Sequence, residues 1–164
     1  MGWVGGGARG RAPPQLGDGG LRLVVDTALR PALAAGVRVD AVLAIDGQEA
    51  TMRHFDGLTV PTLVAAAVVP PALWDRAGQG VLMSLAGAHF QWFDEALDTP
   101  VARLKSGGSV TTFAFDLARR IGADPIVLVG ADFAFRGGRT HAGGTWYERQ
   151  AVAGMLTTKP DARR

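Results

Sequence analysis

Three carboxylates and one imidazole stand where a ligand site of an open parallel sheet needs them. Asp26, Asp46 and Asp132 each follow an apolar run, and His141 lies in the polar, glycine-rich phrase RTHAGGT. In open parallel sheets ligands bind beyond the carboxyl ends of the strands, so a strand-end carboxylate can orient a substrate or hold a cation. An imidazole titrates near neutral pH, which suits a general base or a phosphate contact. Gly107-Gly108-Ser109 opens a further stretch in which Val110, Phe113, Ala114, Leu117, Ala118 and Ile121 recur at helical spacing. The free amides of such a helix start attract anions, and the hydroxyls of Ser109, Thr111 and Thr112 can add contacts to phosphate or sugar oxygens. Gly130 precedes Asp132 and lets a ligand approach the backbone.

Each of these residues also has a purely structural use. Asp26, before Thr27, can cap the helix that begins near Ala28. Asp46-Gly47 is a common turn pair. Ser109 serves as a helix cap in its own right. Arg136 and Arg139 read as solvated loop charges that are also able to clamp a diphosphate. His54 and His89 read as surface or packing residues, and Trp92 and Phe93 as core. Three histidines this scattered, in a chain without cysteine, form no metal signature.

The elements that must position these groups alternate between strand and helix. Strands are expected at Leu21 to Val25, Ala41 to Ile45, Thr59 to Val69, Gly80 to Leu85 and Ile126 to Val129, with a short edge strand at Pro100 to Leu104. Helices are expected at Ala28 to Ala35, Ala72 to Ala77, His89 to Leu97, Val110 to Ile121 and Trp146 to Leu156. The uninterrupted run Ile126 to Val129 is the mark of a strand covered on both faces. The alternation predicts an α/β, Rossmann-like fold: a mostly parallel sheet of five to six strands with helices on both faces. Right-handed crossovers then bring Asp26, Asp46, Asp132 and the loop of His141 to one rim. Residues 1–20 are rich in glycine and read as a flexible N-terminal segment, 21–156 as the domain, and 157–164 as a tail. Gly5-Gly6-Gly7-Ala8-Arg9-Gly10 is a candidate phosphate loop after a short strand at Trp3-Val4, but no strong apolar strand precedes it.

Composition narrows the function. The chain has 164 residues, 48% of them hydrophobic and 20% charged, which suits one folded domain. The net charge is only +2, and of 17 basic residues just Lys105 and Lys159 are lysines. No dense basic block precedes Arg163-Arg164, so nucleic acid is not an expected partner. No apolar run approaches the roughly 20 residues of a membrane helix, and no secretory signal is visible, so a cytoplasmic protein with no membrane partner is expected. The abrupt ends suggest one domain of a longer chain.

Several ordered pieces of the chain resemble one family. VVDTALRPALAAGVRVDAVLAID, HFDGL, PTLVAA, GGSVTTFAFDLARRIGADPIVLVGADFAF and RTHAGGT are similar to the domain shared by motility-associated-factor proteins and the archaeal 6-hydroxymethylpterin diphosphokinases. The resemblance spans roughly Leu21 to Thr145 and implies a Rossmann-like domain that handles a nucleotide-linked donor. One branch implies transfer of a nonulosonic acid from a cytidine nucleotide to a protein hydroxyl. The other implies diphosphate transfer from ATP to a pterin alcohol, with magnesium. The matching positions are Asp46, Gly107, Gly108, Ser109, Gly130, Asp132, Thr140 and His141.

The expectation that follows is a transferase, with glycosyl transfer preferred. His141 and Asp132 are its catalytic residues. Gly107, Gly108, Ser109, Thr111, Gly130 and Thr140 bind the nucleotide phosphates, and Asp26 and Asp46 bind substrate. No cofactor is expected unless the diphosphokinase reading holds, when Asp46 and Asp132 would take magnesium. The partners are a nucleotide or nucleotide sugar and a protein or pterin acceptor. One departure stands out. The family has a glycine loop followed by Pro-Ser-Leu before its first helix, whereas this chain has GGGARGRAPP. That change best supports an alternative from another class, a non-catalytic nucleotide- or partner-binding domain.

Overall fold

The computed structural model describes residues 2–5, 19–96, 98, 101–131 and 141–149. These residues contain seven strands: β1 Gly2–Gly5, β2 Leu21–Val25, β3 Ala41–Ala44, β4 Val60–Ala66, β5 Ala77–Leu85, β6 Arg103–Leu104 and β7 Ile126–Val129. They form one sheet in the order β6-β5-β4-β3-β2-β1-β7, and every neighbouring pair is parallel. Three α-helices accompany it: α1 Leu29–Ala34, α2 Ala88–Ala96 and α3 Val110–Arg120. Short 3-10 segments lie at Asp26–Ala28, Glu49–Phe55, Pro71–Arg76 and Trp146–Arg149. The chain steps from β1 through β6 in one direction, then α3 carries it back across β3, β2 and β1 to place β7 beyond β1. The fold is the expected Rossmann-like α/β sheet.

Burial explains why these segments are strands. Leu23, Val24 and Val25 are buried in succession, as are Ala41 to Ala44 and Leu63 to Ala66. Side chains alternate between the two faces of a strand, so consecutive burial means that both faces are covered. On α3, Phe113, Ala114, Leu117 and Ala118 turn into this core. Ser109 caps that helix by accepting a hydrogen bond from the Thr112 amide at 3.2 Å. Asp116, buried on the same helix, accepts from the Lys105 amide at 3.0 Å and so ties α3 to the segment leading into it. Among the described residues no helix is long and apolar enough to cross a membrane.

The structure corrects several expectations. Gly2–Gly5, assigned above to a flexible segment outside the domain, is an inner strand paired with β2 on one side and β7 on the other. It raises the strand count to seven. Ile126–Val129 is not covered on both faces: β7 is the outermost strand, and Leu128 is 47% exposed. Trp92 is 68% exposed on α2 rather than part of the core, and Ile121 lies exposed just past the end of α3. Ala72 to Ala77 is a 3-10 turn that runs directly into β5, not an α-helix. Of the expected closing helix, residues 146–149 form a 3-10 turn and 150–156 lie outside the described residues. The candidate phosphate loop at residues 6–10 also lies outside them.

Candidate functional site

The acidic residues meet first. Val25 pairs with Leu43 as the last registered pair of β2 and β3. Asp26 follows directly on β2, and Asp46 lies just past the end of β3, so both reach the same rim of the sheet. Asp26 is 3% exposed, and its Oδ1 accepts from the Thr27 amide at 2.6 Å. It does not cap α1, whose N-cap position is Ala28. Burial pushes the Asp26 carboxyl up to about 7; the Thr27 amide opposes the rise, and the nearby Asp46 charge adds to it. Asp46 Oδ1 accepts from the Gln48 amide at 3.0 Å, closing the turn that its Asp-Gly pair implies. Its carbonyl accepts from the Thr51 hydroxyl at 3.2 Å. Glycine is needed in this turn, because a Cβ at position 47 would lie 2.6 Å from the Val68 carbonyl oxygen.

Histidines and aromatics roof this rim. The Glu49–Phe55 segment that follows Asp46 delivers His54 into a buried position. Arg30 of α1 holds the far end of that segment by donating to the carbonyl oxygens of Arg53 and Asp56. Tyr147 lies against both histidines: its ring centroid is 4.4 Å from that of His141, in a stacked arrangement, and 5.2 Å from that of His54. Trp146 meets Tyr147 edge-on at 4.9 Å, and the Arg53 guanidinium sits 4.5 Å above the Trp146 ring. The loop of His141 is closed by Thr145, which is buried and donates to the Ala142 carbonyl at 2.8 Å.

The electrostatics of the roof follow from this packing. Burial, then the charges of His141 and Arg30, holds His54 below the usual histidine range, with Asp46 and Asp56 opposing. Partial burial lowers His141 as well. Burial, then Asp46 and Asp26, pushes the Tyr147 phenol up. All three groups are therefore held in their neutral forms near pH 7. A neutral imidazole that keeps an exposed edge can accept a proton, and the carboxylates beside it can hold hydroxyl or amino groups of a ligand. Among the described residues no group of three or more His, Asp or Glu is arranged to hold a metal ion.

The structure therefore brings Asp26 and Asp46 to one rim, and Tyr147, whose phenol feels both carboxylates, stacks on His141. Gly107, Gly108, Ser109 and Thr111 lie at the turn that opens α3. Both glycines there have positive φ, 52° and 81°. The hydrogen bonds described at this turn close on the turn itself, from the Ser109 amide to Ser106 and from the Thr112 amide to Ser109. Gly130 follows β7 with φ 72°. Asp132, Arg136, Arg139 and Thr140 lie outside the described residues. Sequence reasoning gave His54 only a surface or packing role, and it did not weigh Tyr147, Trp146 or Arg53. The available signals were the short spacing from Asp46 to His54 and the fact that Tyr147 is the chain's only tyrosine, six residues after His141.

Residues 22–138 match the family model described as 6-hydroxymethylpterin diphosphokinase MptE-like. The chain belongs to this MptE-like family. An uncharacterized protein of Treponema pallidum (strain Nichols) is 35% identical over 133 residues, which is 72% of this chain and 34% of the relative. Among solved structures, the MAf glycosyltransferase from Magnetospirillum magneticum AMB-1 shares the fold with a TM-score of 0.64 at 20% identity, over 82% of this chain and 23% of that one. This MptE-like chain thus spans a minor part of the length of either protein. The family match takes in Asp26, Asp46, His54 and α3, and it ends before His141 and Tyr147.

Proposed function

We propose that the rim beyond β2 and β3 is the reaction centre of a nucleotide-dependent transferase, with glycosyl transfer from a nucleotide-activated nonulosonic acid as the preferred reading. The observation that carries it is the convergence of Asp26 and Asp46, from adjacent strand ends, near Tyr147, whose ring meets those of His54 and His141. Transfer of a sugar to a hydroxyl needs a group that takes the hydroxyl proton and groups that bear the charge of the departing nucleotide phosphate. In this reading His141 takes the proton, and Asp26 and Asp46 orient donor or acceptor hydroxyls. Asp132 assists at the reacting centre, while the Gly107-Gly108-Ser109 turn, Thr111, Gly130 and Thr140 bind the phosphates. The structurally similar protein from Magnetospirillum magneticum is a glycosyltransferase, which agrees with this reading. The acceptor is a protein hydroxyl, and the reaction runs in the cytoplasm, where nucleotide donors are made.

The family description favours a second reading, diphosphate transfer from ATP to a pterin alcohol. Magnesium would then neutralise the phosphates. It takes oxygen ligands and is commonly bound through one or two carboxylates plus the substrate phosphates themselves. Asp46 and Asp132 are carboxylates of that kind and would hold it.

A thermal-shift screen with CMP, CTP, ATP and GTP, each with and without magnesium, separates the readings. A ligand present at 100 times its dissociation constant adds about 2.7 kcal/mol of stability. Stabilisation by cytidine nucleotides without metal supports sugar transfer. Stabilisation by ATP only with magnesium supports diphosphate transfer. A nucleotide that stabilises the protein while no transfer follows with either class of donor points to a non-catalytic binding domain. No shift with any of the four overturns nucleotide dependence.

A further inference from the structure

We propose that Tyr147 and His54 are positioning residues for His141: the phenol ring held between the two imidazoles sets the plane of the His141 ring and shields one of its faces from water. The inference rests on the reading of His141 as the proton acceptor and says how that group is kept ready. The order of support runs from the core outward. His54 is buried on a segment whose far end is pinned by Arg30, so it is a fixed wall. Tyr147 leans on that wall at 54° and lies nearly parallel to His141, at 22°. Trp146 abuts Tyr147 and carries Arg53 on its face, which anchors the Tyr147 end of the loop.

An imidazole on an unsupported loop samples several rotamers, and each must be frozen out before it can meet a substrate proton. A ring stacked on a fixed neighbour has lost that freedom in advance. The stack also controls charge. Removing water from one ring face disfavours the imidazolium form. Among the described residues, the charged or titratable groups near these rings include Arg30 from α1, Arg53 within the 3-10 segment and Asp56 just after it, and Asp46 and Asp26 at the strand ends. At His54 the charges of His141 and Arg30 oppose protonation while Asp46 and Asp56 favour it, whereas His141 is lowered by burial, to which the uncharged phenol contributes by excluding water.

The test follows the His141 imidazole by NMR across pH in the wild-type protein, Tyr147→Phe and Tyr147→Leu, beside the pH profile of transfer. Tyr147→Phe keeps the ring and is expected to titrate like wild type. Tyr147→Leu removes the stacked face, and the His141 pKa is expected to rise toward the ordinary value of about 6.5, carrying the acid limb of the kcat/KM profile up with it. Should Tyr147→Leu fail to fold, Tyr147→Met is read in the same way. A His141 titration that is the same with and without the ring overturns the positioning role, whatever the effect on activity. A titration that moves as expected supports it, even where His141→Ala leaves transfer intact, a result that would instead remove the reading of His141 as the base.

Discussion

Asp26 and Asp46 leave adjacent parallel strands and face the same rim with unequal burial: Asp26 is 3% exposed, while Asp46 is half-buried and held by a turn. The inner carboxyl is the one whose ionisation costs the fold. Its pKa stands at about 7, against an ordinary value of 3.8 in the unfolded chain. Below the lower value both states hold the proton and Asp26 contributes no pH dependence. Between the two values only the native state keeps it, so stability falls as pH rises from about 4 to about 7, by roughly 4 kcal/mol in the limit. Urea unfolding across this range is expected to show that fall in wild type and its loss in Asp26→Asn, which is expected to be the more stable protein at pH 8.

His141→Ala removes the proposed proton acceptor while leaving the sheet untouched. Turnover is expected to drop by about 100-fold or more, with the melting temperature little changed. Turnover equal to wild type in a working transfer assay removes the base role.

Gly47 has no room for a side chain, because the Val68 carbonyl oxygen lies 2.6 Å from where a Cβ would sit. Gly47→Ala is expected to cost about 1–3 kcal/mol of stability. The displaced turn carries Asp46, so ligand affinity is expected to fall as well. Gly36→Ala meets open space at a strained φ of 71° and serves as the control: it is expected to lower stability without changing affinity.

Asp116 accepts from the Lys105 amide and from Arg119 and Arg120. Burial pushes its carboxyl upward, but these donors outweigh burial and hold it below the usual carboxylate range. Its contribution is present at neutral pH and is lost as pH falls through that lowered value. Asp116→Ala leaves the Lys105 amide without its acceptor and is expected to cost about 1–3 kcal/mol. Chemical denaturation at pH 7 and at pH 3 checks both parts: the gap between variant and wild type is expected to narrow in acid.

Most of the sheet was legible because its strands are apolar runs that stop at polar or glycine-rich breaks. Leu21 to Val25 and Ala41 to Ile45 stop at aspartates, which also disclosed two of the rim residues. β1 was legible only faintly, as a short strand at Trp3-Val4, since GWVG has half its positions as glycine and shows no periodicity. It is a strand because β2 and β7 supply partners on both sides, a tertiary effect that no local pattern encodes. The exposure of β7 was missed for the same reason, because an apolar run does not reveal whether its strand lies inside the sheet or at its edge. At the site, His141 was found by its polar loop. His54 was set aside because its partner, Tyr147, is remote in sequence, and the stack that joins them exists only once the loop of residues 141–149 has docked.

Among the described residues the first strand and the last lie side by side, Gly2–Gly5 against Ile126–Val129. A ribosome must therefore deliver almost the whole domain before the sheet can close on that flank. Pairings between such distant segments carry a large loop-closure entropy and slow folding. Until they form, β1 offers an open edge to any other nascent strand. Assembly of this molecule is thus expected to be limited by a late, long-range docking event, with its greatest exposure to aggregation just before completion.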